Sequence, residues 1–204
     1  YFEKNRVKNK GKIKATQKYG YATSPPFGGV LHRLYGESLL RIQGEMKSKG
    51  AEEVYWRDYT ALPTWRQPTM DSSPADYDLY LISFKQVEHK QSRTTSPLLR
   101  ELSPEQRCEM NAKAASARGI QDGDEVWVES QNAVTGETRR VKTKARVVQG
   151  IRPDTVAMSH HFGMWTHSRT KEGGPTPNSL FHTMEGYVTN TADQTFQVKV
   201  RVYK

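Results

Sequence analysis

Ser83, Lys85, Gln86, His89, Gln91, Ser92 and Arg93 follow within a few positions of a short apolar run, Leu79, Tyr80, Leu81 and Ile82. A cation flanked by hydroxyl and amide donors can clamp a diphosphate through charge-assisted hydrogen bonds, which are stronger than neutral ones. A solvated basic turn has the same composition, so both readings stand at this point. A second group is Ser159-His160-His161-Phe162-Gly163. Neighbours on a strand point to opposite faces, so His160 and His161 are not expected to share a metal ion. His167 and His182 stand at no ligand spacing from them. The expectation is one histidine on a ligand and one packed in the wall. A third is the Gly/Pro loop 173–180, where the amide of Asn178 could both donate to and accept from the edge of a heterocycle. No acid/base dyad, Ser-His-Asp spacing or Walker loop accompanies these groups. The residues suit holding a ligand better than transforming one.

The elements that must position them are mostly strands. Alternating or short apolar runs predict strands over 79–84, 125–130, 139–148, 155–160 and 196–203. Short helices are expected at 96–102 and 111–118, the second with Asn111 as N-cap and Gly119 at its end. Strands at this spacing without long helices between them imply a closed barrel, a mainly β chain with short helices (α+β in class). Residues 1–76 read differently. A basic arm (Lys4, Arg6, Lys8, Lys10, Lys12, Lys14) leads to a Pro/Gly loop and then to an amphipathic helix over 30–49 that Gly50 stops. An irregular stretch follows, in which Trp56, Tyr59, Pro63 and Trp65 are expected to fill a packing seam.

The chain has 204 residues and a net charge of +9. Its mean hydropathy of -0.82 is low for a compact globule, which suggests that part of it extends over a partner or belongs to a larger body. No run approaches the roughly 18 apolar residues that a bilayer crossing needs, and residues 1–14 lack the apolar core of a signal peptide. The single cysteine, Cys108, excludes an intrachain disulfide and any cluster held by this chain's own thiolates. It reads as a buried inert thiol between a helix and a strand. The charge calls for an anionic partner or tolerates like charge. A nucleic-acid module using the basic arm and the KTKARVV stretch is therefore an alternative, and a stand-alone barrel enzyme is another.

In order, LISFK, QSRT, MNAKAASARGIQDGDEVWVES, KARVVQGIRPDTVAMSHHFG, PNSL and TADQTFQVKV resemble the C-terminal dinucleotide-binding domain of molybdopterin oxidoreductases of the dimethyl sulfoxide reductase family. The most specific piece is N-x-x-x-A-x-x-x-G-I-x-D-G-D-x-V-x-V-x-S, from Asn111 to Ser130. The resemblance covers residues 77–204 and is similar in flavour to the sulfur-oxyanion and arsenate reductase branch. It implies a double-psi β-barrel that binds part of a bis(molybdopterin guanine dinucleotide) carrying molybdenum or tungsten. By position, Ser83, Phe84, Lys85 and Gln86 match the loop that wraps the dinucleotide, and His89, Gln91, Ser92 and Arg93 the turn toward pterin and diphosphate. His160 or His161 matches a wall position, Asn178 an amide near the cofactor, and Gln194 and Thr195 the closing loop. The metal ligand and the iron–sulfur cysteines of such enzymes belong to segments absent from this sequence, and Cys108 does not stand at the metal-ligand position. The implied setting is the C-terminal part of a catalytic subunit, separated or coded apart and inactive alone. Its partners would be a membrane anchor, the remainder of that subunit, and an iron–sulfur electron-transfer subunit, with no nucleic acid. Family habit favours an extracytoplasmic, membrane-associated enzyme and leaves a cytoplasmic one open.

Overall fold

The computed structural model describes residues 36–62, 65, 67–89, 96–163, 173–182 and 198–204. The basic arm, Lys90 to Thr95, and residues 164–172 and 183–197 lie outside these. Six strands close into a barrel: β1 (Leu79–Phe84), β2 (Arg107–Asn111), β3 (Glu125–Gln131), β4 (Thr138–Val148), β5 (Thr155–Ser159) and β6 (Val198–Tyr203). Their order around the barrel is β1-β5-β2-β4-β3-β6, with β1 returning to β6. Pairs β1/β5 and β2/β4 are parallel, and the others are antiparallel.

Period-two alternation decides which way each strand faces. On β4, Val141, Thr143 and Ala145 point inward, while Arg140, Lys142, Lys144 and Arg146 point out. Leu79, Leu81, Cys108, Met110, Val126, Val128, Val156, Met158 and the three valines of β6 complete the core. The outward cations of β4 meet acids or an aromatic on neighbouring strands or on the link leading into β2. Lys142 pairs with Glu125 at 2.9 Å, Lys144 with Glu105 at 2.9 Å and Arg146 with Glu109 at 3.0 Å. Arg140 lies over the Trp127 ring at 4.5 Å. Three of the four outward cations of the basic strand are thus paired with carboxylates.

The expected strands are present, with β5 ending at Ser159, one residue earlier than its pattern suggested, and residues 196–197 outside the described set. Strand β2 was not expected. Cys108 is a fully buried residue of that strand rather than a link between elements, and burial pushes its thiol up to about 12, so it is inert at neutral pH. The helices are α1 (Gly36–Ser48), α2 (Pro97–Leu102) and α3 (Ala112–Ala117). Asn111 caps α3 by accepting from Lys113 N at 2.9 Å, and Gly119 ends it at φ 63°. Gly50 closes α1 at φ 72°. Trp56 does pack, donating to Ala51 O at 2.9 Å beneath Lys47. Trp65 does not: it is 82% exposed and fills no seam.

Candidate functional site

Strands β1 and β5 finish at the same end of the barrel at which β2 and β4 begin. This rim gathers the sequence candidates that fall within the described residues. Ser83 is in register with the core residue Met158 and so faces the barrel mouth, half-buried. Lys85 is exposed. Phe84 and Gln86 line a cleft of about 290 Å³ shared with Leu102, Glu105 and Arg107. Gln86 also accepts from the Ser103 hydroxyl at 3.4 Å. His89 is fully buried, its Nε2 2.6 Å from the Ser103 carbonyl and its ring edge-on to Phe162 at 5.0 Å. It forms part of the wall. Asn178 is exposed on the 3₁₀ turn Pro177–Leu180, whose Thr176 hydroxyl accepts from Asn178 N at 3.3 Å. Gln91, Ser92, Arg93, Gln194 and Thr195 lie outside the described residues.

The two histidines correct the strand argument. Because β5 ends at Ser159, His160 and His161 occupy the turn beyond it, and their ring centroids are only 4.3 Å apart. They are neighbours rather than opposites. Even so, among the described residues no group of three His, Cys, Asp or Glu side chains could hold a metal ion. His160 is half-buried and its backbone N–H donates to Phe84 O at 3.3 Å. His161 is fully buried, and neither ring nitrogen has a hydrogen-bond partner. Burial first, then the neighbouring His160, His89 and Lys85, push its pKa down to about 4. Burial and Lys85 lower that of His160 as well. At neutral pH the His161 ring is therefore uncharged, with one donor and one acceptor both unmet. Such an omission costs about 1–3 kcal/mol per group until something supplies the missing bond.

Two features of the rim escaped the sequence. Gln106 is 3% exposed, and its amide bonds both backbone groups of Ser159. The chain also approaches itself closely along 173–176. A Cβ on Gly173 would stand 2.5 Å from the Phe162 ring, one on Gly174 2.9 Å from the Gln106 side chain, and one on Gly163 inside the Thr176 backbone. The two glycines of Gly173-Gly174 were the only hint of this approach, and Gln106 gave none.

The molydopterin dinucleotide binding domain family matches residues 79–192, more than half of the chain. The chain belongs to this family. Its barrel also resembles that of acetylene hydratase from Pelobacter acetylenicus, with a TM-score of 0.57 over 78% of this chain and 22% of that one, at 17% identity. A selenate reductase chain of Mesobacillus selenatarsenatis is 34% identical over 62% of this chain. The molybdopterin-containing chain of the Salmonella typhimurium thiosulfate reductase is 34% identical over 58%. The domain spans only 13% and 16% of those two relatives. It is a cofactor-binding domain of the kind found in molybdenum oxidoreductases.

Proposed function

We propose that this domain is the C-terminal, cofactor-holding part of an oxidoreductase carrying a bis(molybdopterin guanine dinucleotide) with molybdenum or tungsten. In this reading Ser83, Phe84, Lys85, Gln86, His89, Gln91, Ser92 and Arg93, with His160, His161, Asn178, Gln194 and Thr195, grip one dinucleotide. The barrel would have the double-psi topology of the resemblance, and the division at residues 76 and 77 would separate an arm from the binding domain. The observation that carries the reading is His161. A buried imidazole with both nitrogens unmet fits a group that both donates and accepts, as pterin and guanine edges do. When bound, the cofactor supplies the metal and the dithiolene sulfurs at which electrons are exchanged.

The residues divide the remaining work by charge. Lys85 is exposed at the rim and offsets diphosphate charge. His161 enters as a neutral group, because its pKa of about 4 keeps it unprotonated at pH 7. His89 and Phe162 pack edge to face behind it and exclude water. The substrate would be a sulfur compound or a similar oxyanion, in keeping with relatives named as selenate and thiosulfate reductases. The partners would be a membrane anchor, the remainder of the catalytic subunit, and an iron–sulfur protein.

The test is cofactor retention in the complete enzyme. Each charge-assisted contact contributes about 1.5–3 kcal/mol, so Lys85→Ala and Arg93→Ala should each lower guanine dinucleotide content after dialysis, by roughly tenfold in retention. Unchanged content in both variants would show that the loop has been assigned wrongly.

A further inference from the structure

The antiparallel ladder between β2 and β5 stops at Cys108 and Met158, so Ser159 has no backbone partner on β2. The side chain of Gln106 takes that place. Its Oε1 accepts from Ser159 N at 3.2 Å, and its Nε2 donates to Ser159 O and, at 3.3 Å, to Pro175 O. A side-chain amide has the donor and acceptor of a peptide group, so it can extend a sheet by one rung where the backbone departs. The chain can then turn out of β5 at His160 with no buried polar group of Ser159 left unmet. The backbone of Gln106 fastens two more segments, donating to Gly173 O at 2.5 Å and accepting from the Thr143 hydroxyl at 2.8 Å. Gly173 in turn lies against the Phe162 ring, next in the chain to His161.

We infer that Gln106 is the positioning residue for the His161 imidazole: it locks the turn after β5 against the 173–176 loop and so keeps the ring dry. Neither Glu nor Met can do this. A carboxylate cannot donate to the Ser159 and Pro175 carbonyls, and a thioether neither donates nor accepts well. The importance of the role rests on the rim reading above, but its geometry is testable apart from it.

Diethylpyrocarbonate acylates neutral, accessible imidazole, and peptide mass spectrometry reads each histidine separately. The experiment compares the intact wild-type protein with Gln106→Met and Gln106→Glu. His182 is also buried but bonds Ser130 beneath the Pro177–Leu180 turn, and it serves as the internal reference. The expected result is a rise of at least about tenfold in His161 labelling in both variants, with His182 unchanged. The pH midpoint of His161 labelling should also climb from about 4 toward the ordinary 6.5. Labelling of His161 as slow as in wild type, or a parallel rise at His182, would overturn the role. Should neither variant fold, Gly174→Ala lifts the loop from the other side, because its Cβ would press on the Gln106 side chain. It should expose His161 with the same selectivity, and retained protection there would equally overturn the inference. Dinucleotide content is measured in the same preparations. Unchanged content beside an exposed His161 would leave the role of Gln106 standing and count against the cofactor reading.

Discussion

The two ends of the barrel treat their polar groups in opposite ways. At the base, where β1 begins and β2 ends, Asp78 holds Arg118 with both oxygens, at 2.6 and 2.5 Å. Asn111 caps α3 and donates to Ile151 O at 2.6 Å, and Asp124 pairs with Lys204 at 2.8 Å. On the adjoining β3–β6 wall the buried carboxylate of Glu129 accepts from Tyr77 at 2.7 Å, Tyr203 at 2.8 Å and Arg201 at 2.8 Å. At the rim a buried imidazole has neither nitrogen satisfied. A fold that pairs the polar groups of its base this fully has the means to do so at the rim, and in the proposed reading a bound dinucleotide would supply the bonds the rim leaves unmet.

The largest expected effect lies on the satisfied side. Glu129→Ala strands two phenols and a guanidinium that the carboxylate now gathers. Breaking a buried ion pair costs about 3–5 kcal/mol, and Asp76 remains as a second acceptor for Arg201 at 2.7 Å. A loss of about 3 kcal/mol is therefore expected, read from the urea midpoint at constant slope. His161→Leu removes two unmet groups from the rim and should stay within about 1 kcal/mol of wild type. Equal losses in the two variants would erase the contrast between base and rim.

Acid should separate the same regions by pH window. The His161 pKa falls from 6.5 to about 4 on folding, so the unfolded chain binds the extra proton between those values. Stability is then complete above pH 6.5 and declines as pH drops toward 4, by up to about 3 kcal/mol. His182, lowered by burial and by Arg139, adds to the decline in the same direction. Glu129 behaves otherwise. Burial raises its pKa, but the bonds from Tyr77, Tyr203 and Arg201 outweigh that and hold it below 4.5, so its contribution is lost only at lower pH. Chemical denaturation from pH 7 to 4 should show the slope in wild type and a shallower one in His161→Leu. An unchanged slope would mean that the rim histidine is hydrated.

This contrast was only half legible in the sequence. Strands β3, β4 and β6 could be read because apolar residues alternate there with polar or charged ones, as a one-sided barrel wall requires, and β1 and β5 because they are short apolar runs without charge. Strand β2 could not: Arg107–Asn111 is short, and its only inward apolar residues, Cys108 and Met110, carry little strand preference. The rim's position followed from strand ends, and Lys85, His89 and His161 do converge there. Which histidine is buried did not follow, because one residue decides whether His160 is in the strand or the turn. Gln106 has no local signature at all, since its partners Ser159 and Pro175 are brought to it by barrel closure.

The smallest effect fixes how far the rim extends. Glu105 lines the cleft beside Phe84 and Gln86 yet also belongs to the outer ladder. It bonds Lys144 at 2.9 Å and Arg107 at 2.8 Å, and Lys144 first, with Arg107, holds its carboxyl below the usual range. Both Lys144 and Glu105 reach solvent, and Arg107 remains when Lys144 is removed. A double-mutant cycle on Lys144 and Glu105 should therefore give a coupling below about 0.5 kcal/mol that shrinks further in salt. The same Lys144→Ala variant should keep its dinucleotide, because the ladder already neutralises that lysine, whereas Lys85→Ala should lose it. Equal losses from the two lysines would mean that the binding surface runs down the outside of the barrel rather than ending at its mouth.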